Sequence, residues 1–102
     1  MISDVSERRA DIEVLCRAQG VRRLELFGSA ASGAYRPGES DLDFLVEFVP
    51  DPPGGYAEAY FGLLEGLEKM FGCKVDVVVY AAIRNPYFMQ SVERTRTLLY
   101  AA

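Results

Sequence analysis

Apolar residues near the start of the chain recur at intervals of three and four: Val5, Ile12, Leu15 and Cys16, with Gln19 on the same stripe. This spacing predicts one amphipathic helix over 3–19. Ser3 or Ser6 can cap it, and Gly20 stands where a helix end takes a left-handed residue. Residues 21–27, VRRLELF, alternate instead, with Leu24 and Leu26 on one face, and read as a strand. Gly28 ends it. The Ala-rich stretch SAASGAY suits about two turns of helix beginning just after Gly28, and RPGES reads as a turn.

A second strand follows in DLDFLVEF. Leu42, Phe44, Val46 and Phe48 point one way, and Asp41, Asp43, Leu45 and Glu47 the other. The loop-like VPDPPGG leads into a strong helical pattern formed by Tyr60, Leu63, Leu64, Leu67, Met70 and Phe71, which runs to about Gly72. CKVDVVVY is a third strand, nearly all β-branched, with Asp76 inside it. Asn85 and Pro86 read as a cap and a first helical residue. The last helix, YFMQSVERTR, turns Phe88, Val92 and Thr95 inward before TLLY. The predicted order is therefore α-β-α-β-α-β-α. It makes an α/β (α+β) layer structure, and 1–102 reads as a single domain with no internal repeat.

Composition removes several classes of chemistry. The chain has no histidine, which excludes Ser-His-Asp and Cys-His catalysis and histidine-ligated metals. Cys16 and Cys73 form no CxxC pair and read as free thiols in a reducing compartment. Eleven basic residues against fifteen acidic ones leave a net charge of −4, the wrong sign for gripping a polynucleotide but no obstacle to a single nucleotide. The N-terminus lacks the apolar core of a signal peptide, and no apolar run reaches membrane-spanning length. A cytoplasmic protein with no membrane and no direct nucleic-acid partner is the expectation.

Asp41 and Asp43 share a strand face, their α-carbons roughly 6.6 Å apart. For a bare Asp-x-Asp, the plain explanation is a solvated edge. The alternative is a hard divalent cation such as Mg²⁺, which oxygen-only ligands suit. Two other features favour the cation. If the second and third strands are neighbours, Asp76 joins the pair, and three carboxylates are a ligand set for two Mg²⁺ ions in phosphoryl transfer. Gly28-Ser29 also stands at a helix start, where backbone N–H groups and the serine hydroxyl can hold phosphate oxygens.

GSAASGAYRPGESDLDFLV followed by KVDVVVY resembles the nucleotidyltransferase superfamily of DNA polymerase beta, and more closely the minimal nucleotidyltransferases, or MNT proteins. The resemblance runs from about Leu24 to Tyr100. It implies the polymerase-beta-like fold, a small mixed sheet of three to four strands flanked by helices. It further implies that Gly28 and Ser29 bind the triphosphate of ATP, and that Asp41, Asp43 and Asp76 ligate Mg²⁺ and are catalytic. Asp76 would also help deprotonate the incoming hydroxyl. Members of this family are typically antitoxin partners of HEPN toxins. Some transfer AMP to a tyrosine of the toxin, and others act by binding alone. Two departures stand out: Ser32 occupies the place of an arginine common in GSxARG, with Arg36 as a possible substitute, and the loop between Ser29 and Asp41 is one residue longer than usual.

Three functions therefore compete: an AMP-transferring enzyme acting on a HEPN partner, a catalytically weak or inactive binding module of the same fold, and a transferase for a small hydroxylated compound. Minor features have plainer readings. Gly62 and Gly66 predict close helix packing, Tyr60 reads as core, and VPDPPGGY is either a cover for the nucleotide or a passive connection.

Overall fold

The computed structural model describes residues 3–32 and 41–102. The RPGES turn, Arg36 and the second half of the short helix expected after Gly28 lie outside the described residues. The elements are α1 (Ser3–Glu7), α2 (Arg9–Ala18), β1 (Val21–Phe27), α3 (Ser29–Ser32), β2 (Leu42–Phe48), α4 (Tyr56–Phe71), β3 (Val75–Val79), α5 (Pro86–Thr95) and β4 (Thr97–Ala101), with one 3₁₀ turn at Tyr80–Ala82.

Four strands form one mixed sheet in the order β3-β2-β1-β4. β1 runs antiparallel to both β2 and β4, and β2 lies parallel to β3. The parallel pair needs a crossover, and the sixteen-residue α4 supplies it. One face of the sheet carries the main core. Leu24, Leu26, Leu42, Phe44 and Val46 pack there against Val5, Ile12 and Cys16 from the N-terminal helices and against Leu63 and Leu67 of α4. A smaller apolar cluster of Phe27, Leu45 and Val92 binds α5 to the opposite face.

Two expectations are corrected. The N-terminal helix is two helices, broken at Arg8, whose backbone N–H returns to Val5 O at 3.2 Å. The break leaves Val5 and Ile12 both fully buried, so the apolar stripe is kept although the helix is interrupted. TLLY lies within the fourth strand, where Leu24 faces Tyr100 and Leu26 faces Thr97. Its short apolar run has no clear period, and only the free edge of β1 made it a strand.

The predicted cap at Asn85 and the close helix packing at Gly62 and Gly66 are present, whereas Ser3 and Ser6, expected as caps, both lie within α1, and α2 begins with no side-chain cap. Asn85 Oδ1 accepts from the N–H groups of Tyr87 (2.9 Å) and Phe88 (3.3 Å). Gly62 and Gly66 face α2, and a Cβ on either would fall 2.3 Å from Gln19 Oε1 or 2.6 Å from Leu15 Cδ1. The proline loop packs against Gly20, which sits at φ +68°, and Pro52 is buried. Cys16 and Cys73 are both free thiols, and burial pushes the Cys16 thiol up to about 12, leaving it inert. Among the described residues, no helix is long and apolar enough to cross a membrane.

Glu25 is the exception to the alternating pattern. It lies on the α5 face of β1, is only 2% exposed and is held by two arginines. Arg96, just beyond α5, donates from Nε to one carboxylate oxygen (2.6 Å) and from Nη2 to the other (2.8 Å), while Arg23 Nε pairs with Oε1. The Arg96 guanidinium also lies 5.5 Å from the Tyr80 ring centroid. These hydrogen bonds, Arg96's first, hold the Glu25 carboxyl below the usual carboxylate range despite its burial.

Candidate active site

The end of β1 and the starts of β2 and β3 meet at one end of the sheet. Phe27 pairs with Asp43 across β1 and β2, and Asp43 pairs with Asp76 across β2 and β3. Registered partners on neighbouring strands share a face, so the fold brings Asp43 and Asp76 side by side. The strand adjacency needed for the expected carboxylate cluster is met.

Asp43 stands in a demanding environment. Burial is the largest cause raising its carboxyl to about 6, followed by the charges of Asp76 and Asp41, and its protonated form donates to Asp76. Asp41 occupies the same strand face, but its Oδ2 pairs with Lys74 Nζ at 3.7 Å. Among the described residues, no group of three acidic, histidine or cysteine side chains is positioned to hold an ion jointly. The expected three-carboxylate cluster is thus a close pair with a third member held by lysine. That lysine is 71% exposed and its ion pair is a weak surface one, so little opposes its release.

This donor set fits Mg²⁺. It is built of carboxylate oxygens alone, and Asp43 is shifted upward by its burial and then by its acidic neighbours Asp76 and Asp41, effects that a bound cation would offset. A stability prediction follows. Unfolded, Asp43 ionises at its ordinary value, about 3.9. Between that value and about 6, the folded chain holds a proton that the unfolded chain has released. Stability therefore falls as pH rises through this window and stays lower above it. Asp43→Asn will melt several degrees above wild type at pH 7.5 and level with it near pH 4 by scanning calorimetry. Added MgCl₂ will narrow the gap at pH 7.5 by raising the wild type alone.

The glycine turn abuts this pair. Gly28 has φ +77°, and a Cβ built on it would lie 2.6 Å from Asp43 Oδ2. Glycine is required here because the carboxylate lies against its α-carbon. Its carbonyl accepts from Ala31 (3.2 Å) and Ser32 (3.1 Å), starting α3. Its own N–H donates to Thr95 Oγ1 at 2.8 Å. The Gly28 N–H is therefore engaged within the fold, whereas the expectation that Gly28 and Ser29 bind the triphosphate concerns the turn and helix start as a whole. Ser29 is half-buried at the head of α3, and the Ser32 hydroxyl donates to its carbonyl at 3.3 Å.

A cleft of about 540 Å³ opens beside the acidic pair, a volume suited to a small-molecule ligand. Gly28, Asp43 and Asp76 line it together with Phe27, Phe88 and Ser91. Ser29 and Asp41 lie outside this lining. Phe88, expected to turn inward, is 39% exposed and forms a wall edge-on to Phe27, with ring centroids 6.0 Å apart. Tyr60 keeps its core role, donating its hydroxyl to Val77 O at 3.1 Å. The pattern of the chain turned Thr95 inward but gave it no role, and it did not mark Lys74, since an exposed lysine carries no periodic signal.

The chain matches the family described as "Nucleotidyltransferase domain" over residues 10–99, and it belongs to that family. A protein of Methanocaldococcus jannaschii named "Putative protein adenylyltransferase" is 38% identical over 93 residues, spanning 90% of this chain and 91% of that one. A solved structure described as "Structure of putative minimal nucleotidyltransferase" superposes with a TM-score of 0.74 at 32% identity, covering 91% of this chain and 90% of the other. A more distant structure, a tri-AMPylated Shewanella oneidensis HEPN toxin in complex with MNT antitoxin, gives a TM-score of 0.64 at 19% identity over 96% of this chain and 73% of the other. That last likeness speaks for the fold alone.

Proposed function

We propose that this chain is an antitoxin that transfers AMP from ATP to a tyrosine hydroxyl of a HEPN-type partner protein. The observation that carries the reading is the registered pair Asp43–Asp76, a half-buried and an exposed carboxylate set side by side beside the Gly28 turn in an open cleft. Crowding of this kind destabilises a protein unless a cation or a reaction uses it. The adenylyltransferase relative and the toxin–antitoxin neighbour support the choice of AMP and of the partner.

In this reading Ser29 and the head of α3 hold the triphosphate, and Asp41, Asp43 and Asp76 would hold two Mg²⁺ ions. When bound, the ions supply positive charge to the phosphate being transferred and to its leaving oxygen. Asp76 accepts the proton of the acceptor hydroxyl at its exposed carboxylate. The hydroxyl oxygen bonds to the α-phosphorus, the bond to the bridging β-phosphate oxygen breaks, and pyrophosphate leaves. The apolar wall of Phe27 and Phe88 suits an aromatic acceptor. An acidic cleft in a chain of net charge −4 disfavours a polynucleotide acceptor.

Intact-mass spectrometry of the protein that co-purifies with this chain from its native host tests the reading. After ATP and Mg²⁺, the partner should gain the mass of one or more AMP units, and EDTA should prevent the gain. A tight complex whose mass never changes would favour the binding-only alternative.

A further inference from the structure

We infer that Thr95 is a positioning residue that holds the Gly28 turn in its nucleotide-binding shape; this rests on the proposed transferase reading. The hydrogen bond from Gly28 N–H to Thr95 Oγ1, 2.8 Å long, ties residues 67 positions apart. It joins the end of α5 directly to the turn at the acidic pair. Without it, a half-buried N–H would lose its partner, at the cost of an unmet donor.

Thr95 is itself held through the two residues that follow it. The Thr97 hydroxyl donates to the Thr95 carbonyl at 3.1 Å. Arg96, the next residue, makes two hydrogen bonds to the buried Glu25 of β1. The threonine hydroxyl is therefore presented from a rigid base rather than from a fraying helix end.

What it fixes matters for the site. The Gly28 α-carbon lies against Asp43 Oδ2, and the Gly28 carbonyl starts α3, which carries Ser29. A rotation of this turn moves both the carboxylate's wall and the helix head at once. Displacements of about 1 Å at such points cost on the order of a hundredfold in rate.

The test compares Thr95→Val, Thr95→Ala and Thr95→Ser in the 102-residue chain. Calorimetric titration with AMP-PNP and Mg²⁺ reads nucleotide affinity, and the ¹H–¹⁵N resonance of Gly28 reads the bond directly. The valine and alanine variants should bind AMP-PNP about tenfold more weakly, with the Gly28 resonance displaced. Serine should restore both. Melting temperatures identify any variant that fails to fold, and alanine, smaller than threonine, decides the matter if valine does not fit. Wild-type affinity in a folded valine or alanine variant, or failure of serine to restore it, overturns the proposal. Wild-type protein that binds AMP-PNP but modifies no partner would sink the transferase reading while leaving the tether standing. Wild-type protein that binds no AMP-PNP would sink both.

Discussion

Asp43→Ala and Asp41→Ala, singly or together, will lower AMP transfer to the partner by about a thousandfold or more, with the fold intact. The effect should be large because charge stabilisation supplies most of phosphoryl-transfer catalysis. Asp43→Glu should fail as well, for a steric reason. The Asp43 carboxylate lies so close to Gly28 that a Cβ there would sit 2.6 Å from Oδ2, so a side chain one methylene longer must carry its carboxylate away from its place between Gly28 and Asp76. The readout is partner modification by intact mass at matched enzyme concentration, with circular dichroism to verify folding. Transfer at the wild-type rate by the double variant would refute the assignment. The melting temperature of Asp43→Ala should not fall at neutral pH, because the replaced group is an anion raised to about 6 by burial and by its acidic neighbours.

Arg96→Ala should be the most damaging change away from the site. It leaves the Glu25 carboxylate, 2% exposed, with Arg23 as its remaining partner. Stranding half of a buried pair costs about 3–5 kcal/mol. Arg23 still serves one oxygen, so about 2–4 kcal/mol is expected, a melting shift on the order of 10–20 °C. Arg96→Lys should recover little, since an ammonium cannot reproduce the two-pronged contact. Acid will remove the same contribution. Glu25's folded carboxyl titrates below its ordinary value, so its stabilisation is present above that value and is lost as pH falls through the folded one. Urea melts at pH 7 and pH 3 should show the Arg96→Ala penalty shrinking in acid. An equal penalty at both pH values would mean that lost packing, not charge, dominates.

These predictions differ in how legible their basis was in the chain. Asp43 and Asp41 stood out as charges in an apolar alternating run, a conflict between local pattern and charge that often marks function. Glu25 is also charged, yet it sat at a polar position of a regular alternation, off the Leu24–Leu26 face, and carried no mark of its own. Its burial depends on α5 crossing that face and on Arg96 arriving with it.

The sequence by itself determined what is local and periodic. Strand alternation set β1 and β2, a β-branched run set β3, the apolar stripe set α4, and Asn85-Pro86 set the start of α5, because backbone geometry and neighbouring side chains suffice for each. The motif order from Gly28 to Asp76 was likewise readable. Tertiary structure alone decided the pairings: Asp43 beside Asp76, Asp41 with Lys74, the Gly28 N–H with Thr95, and the tail as a fourth strand on the free edge of β1. None of these has a sequence period. Each depends on which strand edges and helix ends meet once the core has closed, and burying Phe44, Leu63 and the rest of that core is what brings them together.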